Sequence, residues 1–193
     1  MNRRTVLLAG SAWMLLGASP RRTYVREHRA WTRELTLYDG FSTALVLRAT
    51  LLEPAFRAVL AAERTRLLNP SAGNQAEFAA RMAADGAAFH EVVFAADSAF
   101  DDAEKFGPGD DRWNLRLLAD GTEETLVAVD RVRKPSALHD ALYAQLDLWS
   151  ELWIARFSRT VAAPSEVRLI VGGGHGNGEL RWSDLSRSDL RGS

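Results

Sequence analysis

The chain contains no cysteine. That excludes disulfides, thiol nucleophiles and cysteine-based zinc or iron–sulfur centres. Lysine is almost missing: Lys105 and Lys134 are the only two. Nearly all positive charge is therefore arginine, which reads as the imprint of a GC-rich genome rather than as a phosphate site. Neither sign of charge dominates, with 24 basic and 25 acidic residues and a net charge of −1. This balance speaks against a strongly basic nucleic-acid binder. No apolar run reaches the ~20 residues of a comfortable membrane span. The four histidines, His28, His90, His139 and His175, lie in four separate segments. None pairs with another at the i, i+4 spacing of a helical zinc site. A Gly-x-Ser-x-Gly nucleophile elbow is also missing, so nothing local anchors a hydrolase triad.

What is present fits one globular domain behind a leader. The 193 residues are 47% apolar and 25% charged, ordinary values for a folded domain. Residues 1–19 read as an export signal. Arg3 and Arg4 form a short basic region, residues 5–18 are uncharged and mostly apolar, and Gly17, Ala18 and Ser19 are small. This is the layout of a secretory signal. The arginine pair before Thr5-Val6-Leu7-Leu8 also resembles a twin-arginine signal. Cleavage after Ala18 or Ser19 leaves a mature chain with no integral membrane span. It carries 22 basic and 25 acidic residues, a net charge of −3.

Beyond the leader, apolar and polar residues mostly alternate, as half-buried strands require. Strands are expected near 31–37, 41–51, 89–96, 113–119, 125–132, 152–157, 167–171 and 178–182. Asp39-Gly40 and Asp120-Gly121 are hairpin signals between such runs. About eight strands separated by turns predict a mainly β chain, an antiparallel Ig-like sandwich. A helical insertion over 53–86 interrupts it. Pro54 suits a first helical turn, and Phe56, Val59, Leu60 and Leu67 form an apolar stripe. Asn69-Pro70 ends that helix. Ser71 or Asn74 caps a second one with Phe78 and Met82, ending near Gly86. Ser136 caps a short third helix with Leu138, Leu142 and Leu146. One domain over 20–182 and a polar, flexible tail over 183–193 complete the organisation.

Several short pieces of the chain together suggest a family. They are Ala49-Thr50-Leu51-Leu52 with Phe56-Arg57, Arg112-Trp113-Asn114-Leu115, Val132-Arg133-Lys134-Pro135, Trp149-Ser150 with Ala155-Arg156-Phe157, and Leu180-Arg181-Trp182. Across most of residues 40–182 the chain resembles a group of small uncharacterised secreted bacterial lipoproteins. The resemblance implies an envelope location and a β-rich domain with a helical insertion, and it implies no activity. Leu16-Gly17-Ala18-Ser19 resembles the lipobox of such proteins, but Ser19 stands where the lipid-bearing cysteine belongs.

Four features are candidate sites. The glycine-rich segment 172–178 lacks the lysine and hydroxyl of a phosphate loop and precedes a strand, so it reads as a hairpin connection. The acidic stretch around Asp97, Asp101 and Asp102 offers oxygen ligands to calcium, but it lacks the spacing of a helix–loop–helix calcium site. A solvated loop is the plainer expectation, and no metal or other cofactor is expected. Trp149 and Trp153 are binding candidates if they share an exposed face, and core residues otherwise. On the first inserted helix, Arg57, Arg64 and Arg66 are the expected contacts to an envelope protein partner. The leading functional expectation is thus a secreted, non-enzymatic protein-binding or assembly module. An envelope hydrolase with dispersed catalytic residues and a small-ligand carrier are the alternatives.

Overall fold

The structure, a computed structural model, describes residues 20–98, 106, 113–146 and 150–185. The expected export signal, Asp101, Asp102 and Trp149 lie outside the described residues. Among the described residues, no helix is long and apolar enough to cross a membrane.

Two antiparallel sheets and a layer of helices make up the domain. The strands are β1 (Thr32–Asp39), β2 (Ser42–Leu51), β3 (Phe89–Ser98), β4 (Asn114–Ala119), β5 (Thr122–Glu124), β6 (Leu126–Val132), β7 (Glu151–Ser158), β8 (Glu166–Gly173) and β9 (Gly176–Ser183). The first sheet runs β1-β2-β3-β7-β6 and the second β5-β4-β8-β9. The expected antiparallel sandwich with helices between early strands is therefore what the chain forms. Among the described residues there are nine strands rather than eight, because β5 forms ahead of the run expected over 125–132. Between β5 and β6 the chain passes from the second sheet to the first. Thr125 holds the crossing point, accepting from the Ser158 N–H and donating its own N–H to the Ser158 hydroxyl. At the opposite corner β1 meets β9, where the Arg33 guanidinium donates to the Arg181 carbonyl.

The hairpins sit where the sequence places them. Gly40, Asp120 and Gly121 have positive φ, as a tight two-residue turn demands. Phe41, expected in a strand, lies instead in the β1–β2 turn and is fully exposed. The glycine-rich segment does form a hairpin, turning at Gly174 and His175. Gly178 has a further reason to be glycine, because a Cβ there would lie 2.6 Å from Leu35 Cδ1 across the corner.

Strand alternation sends Leu45, Leu47, Ala49 and Leu51 of β2 to one face with Val92 and Phe94 of β3 and Trp153, Ala155 and Phe157 of β7, and all are buried. Of their alternates, Thr50 and Glu91 face the helices. Those helices are α1 (Pro20–Trp31), α2 (Pro54–Leu68), α3 (Ala72–Ala88) and α4 (Ala137–Leu142). The helix α1 precedes all the expected elements. It buries Tyr24, His28 and Trp31, one stripe at i, i+4 and i+7. α2 ends on Asn69 in the left-handed conformation, which asparagine tolerates. Ser71 then caps α3 by accepting from the Asn74 N–H. The domain also runs slightly past residue 182: β9 reaches Ser183, and the Leu185 N–H donates to the Ser165 carbonyl.

Candidate binding cleft

The helices α2 and α3 are joined by three residues, so they lie side by side as a helical hairpin. The residues they turn toward each other are small. Ala58 and Ala61 of α2 face Ala79, Ala83 and Ala87 of α3, and alanine cannot fill the space that leucine would. A cleft of about 470 Å³ results, lined also by Pro54, Arg159 and Ala162. Its volume falls within the ~300–1,000 Å³ usual for small-ligand pockets. Met82, Gly86 and Arg57 are its buried residues, while Ala58, Ala79, Ala83 and Ala87 are exposed. Among the described residues no aromatic ring lines it.

Arg57 lies one turn into α2 and is only 2% exposed. Its seat depends on Gly86: a Cβ there would come within 2.9 Å of Arg57 Cδ. The Nε–H donates to the Leu52 carbonyl at 2.7 Å. The two terminal nitrogens, Nη1 and Nη2, are buried without a hydrogen-bond partner. The nearest carboxylate oxygen, Glu91 Oε1, is 3.9 Å from Nη2. The other oxygen of Glu91 accepts from Arg156 Nε at 2.9 Å. Burial lowers the pKa of Arg57, a shift that Glu91, Asp85 and Glu53 oppose and Arg159 adds to.

Behind the cleft lies a second set of polar groups, in which every member but His90 Nε2 is hydrogen-bonded. Glu53 precedes Pro54 and occupies the N-cap position, yet its side chain does not cap the helix. Instead it accepts from Arg159 Nη2 at 2.6 Å and lies 2.8 Å from His90 Nδ1. Arg159 also donates to the Ala162 carbonyl, and its side chain is 3% exposed. His90 is wholly buried, with Nε2 3.7 Å from Glu124 Oε1. Glu124 in turn accepts from the N–H groups of Thr160 and Val161 and from the hydroxyls of Ser158 and Thr160. Burial raises the carboxyl pKa of Glu53, but its bonds to His90 and Arg159 outweigh that and hold it below the usual range. Burial likewise raises Glu124, and its four donors prevail. This network ties the start of α2 to β3, β5 and the β7–β8 connection, and so fixes the part of the cleft lined by Pro54 and Arg159.

The residues expected from sequence are not gathered into one patch. Arg57 requires a correction: it belongs to the interior rather than to an exposed helix face, because its alkyl stem packs on Gly86 beneath α3. Arg64 stacks on the Phe78 ring, 4.0 Å from its centroid. Arg66 is exposed and forms a two-pronged pair with Glu63. Trp153 is a core residue, stacked beside Phe94 and edge-on to Phe106. Asp97 lies near the end of β3, and among the described residues no group of three histidine, aspartate or glutamate side chains could hold a metal ion. Sequence reasoning missed His90 and Arg159 as partners of Glu53, and Glu124 as the neighbour of His90, since the paired residues are 34 or more positions apart along the chain. The signal that was available lies on α3, whose Ala79, Ala83 and Ala87 recur at the spacing of one helix face. Comparison with protein-family models, curated proteins and solved structures finds no match for this chain.

Proposed function

We propose that this protein is an exported, non-enzymatic binding protein of the cell envelope, and that its ligand site is the cleft between α2 and α3. One observation carries this reading. Among the described residues the cleft is lined by aliphatic side chains, and the only ionisable lining groups are the guanidiniums of Arg57 and Arg159. A guanidinium keeps its proton throughout the physiological range. It orients a ligand well and serves poorly as a general acid or base. The hydroxyls nearest the network, on Ser158 and Thr160, are spent on Glu124.

Export rests on the leader layout in residues 1–19. The position of α1 agrees with cleavage near Ser19, because Tyr24, His28 and Trp31 belong to the core and the mature chain must keep them. A partner-binding role for the polar face of α2 has less support, since Arg57 is inside the protein and Arg64 is stacked on Phe78.

The site is tested by filling it. Ala83 is exposed on the cleft wall, so Ala83→Phe should preserve the fold. The fluorescence of 1-anilinonaphthalene-8-sulfonate should rise with the wild-type protein and fall to background with this variant, at an unchanged melting temperature. Equal fluorescence from both proteins would place the binding surface elsewhere. Mass spectrometry of the periplasmic fraction should show a chain that begins near Pro20, and an intact chain confined to the cytoplasm would refute export.

A further inference from the structure

The cleft's chemistry narrows its ligand. A buried guanidinium has five N–H donors, and in Arg57 only the one on Nε is bonded. Four N–H groups on two terminal nitrogens are left, and buried donors without acceptors are costly. Two coplanar acceptor oxygens match that fork. The ligand's charge is limited by its surroundings. Glu91, Asp85 and Glu53 all act on Arg57, so a dianionic phosphate would meet three carboxylates for one available cation. Arg159 is already committed to Glu53 and Ala162. A single negative charge therefore fits best.

The rest of the lining excludes other ligand classes. With no aromatic ring among the described lining residues, a nucleobase or sugar finds no stacking surface there. No side-chain amide or hydroxyl is among the described lining residues either, so a polyol would lose its hydrogen bonds to water on entry. What the walls offer is methyl and methylene groups from Ala58, Ala61, Ala79, Ala83 and Met82. That surface suits a flexible aliphatic chain.

Resting on the cleft being the ligand site, we propose that the ligand is a single-chain aliphatic carboxylate, its head group on Arg57 and its chain along the alanines between α2 and α3.

Isothermal titration of the full mature protein with decanoate, decanol and decyltrimethylammonium tests this. Decanoate should bind at least about tenfold more tightly than decanol, the scale of a charge-assisted hydrogen-bond pair, and the cation should bind least. Ala58→Glu places a carboxylate on the exposed wall of the cleft. It should abolish the preference for decanoate while decanol still binds. Arg57→Met should do the same, and Ala58→Glu keeps the test open if that variant does not fold. Ala83→Phe should weaken both ligands. Equal binding of decanoate and decanol by the wild type would overturn the carboxylate assignment and leave the cleft standing, provided that Ala83→Phe blocks both. Undiminished binding to Ala83→Phe would overturn the cleft itself.

Discussion

The two flanks of α2 are built on opposite plans. Toward α1, Phe56 lies among Tyr24, His28 and Trp31, with ring centroids 5.9 to 6.3 Å apart. Toward α3 there are alanines, a glycine and a buried arginine. Large rings fill one flank to the density of a core. Small residues on the other leave room for a guest. The difference shows that one short helix can be both structural joint and binding wall, with the role set by side-chain volume on each face.

Removing the joint should have the largest effect. Phe56 is wholly buried, and Phe56→Ala should cost about 3–5 kcal/mol, read as a lower denaturation midpoint. A loss below about 2 kcal/mol would mean that α1 is not what holds α2 down. Titrating the joint comes next. Burial pushes His28 down to about 4 from 6.5, and its bond to Gln145 offsets only part of that. The unfolded chain thus takes up a proton at higher pH than the folded one. Stability is full above pH 6.5 and falls as the pH drops toward 4, by up to about 3 kcal/mol. Urea melts of His28→Gln should lack this part of the pH dependence. Glu53 and Glu124, held below the usual carboxylate range, add a second loss as the pH falls further through their own folded values. The smallest effect belongs to the α3 flank. Arg64→Ala removes the guanidinium from the Phe78 ring and should cost only about 0.5–1 kcal/mol. A larger cost would mean that α3 is fastened as firmly as α1, and the contrast between the flanks would collapse.

How far the sequence revealed these parts depended on the range of the interactions. Hairpins at Asp39-Gly40 and Asp120-Gly121, the caps at Ser71 and Asn69, and the strand faces of β2 and β3 follow from neighbours along the chain, and all were legible. The helix α1 was not, because Tyr24, His28 and Trp31 are separated by arginines and a histidine rarely signals a core face. The break between β5 and β6 was hidden too. Nothing near Thr125 shows that the chain changes sheets there; its partner Ser158 lies 33 residues away. The cleft was half legible. Its arginine was singled out, but its burial depends on Gly86, which only the packed helices bring to it.

The corner between β1 and β9 governs when the molecule can finish folding. The Trp182 indole N–H donates to the Trp31 carbonyl, a contact between residues 151 positions apart. Gly178 covers Leu35 and Leu37 at the same corner. Early strands thus wait for β9, and the wait has a kinetic consequence. Contacts of such long sequence separation slow folding, because loop-closure entropy is lost before they form. A ribosome that has released β1 through β8 holds a sheet whose first edge is still open. The corner between β1 and β9 can close only once β9 has left the ribosome.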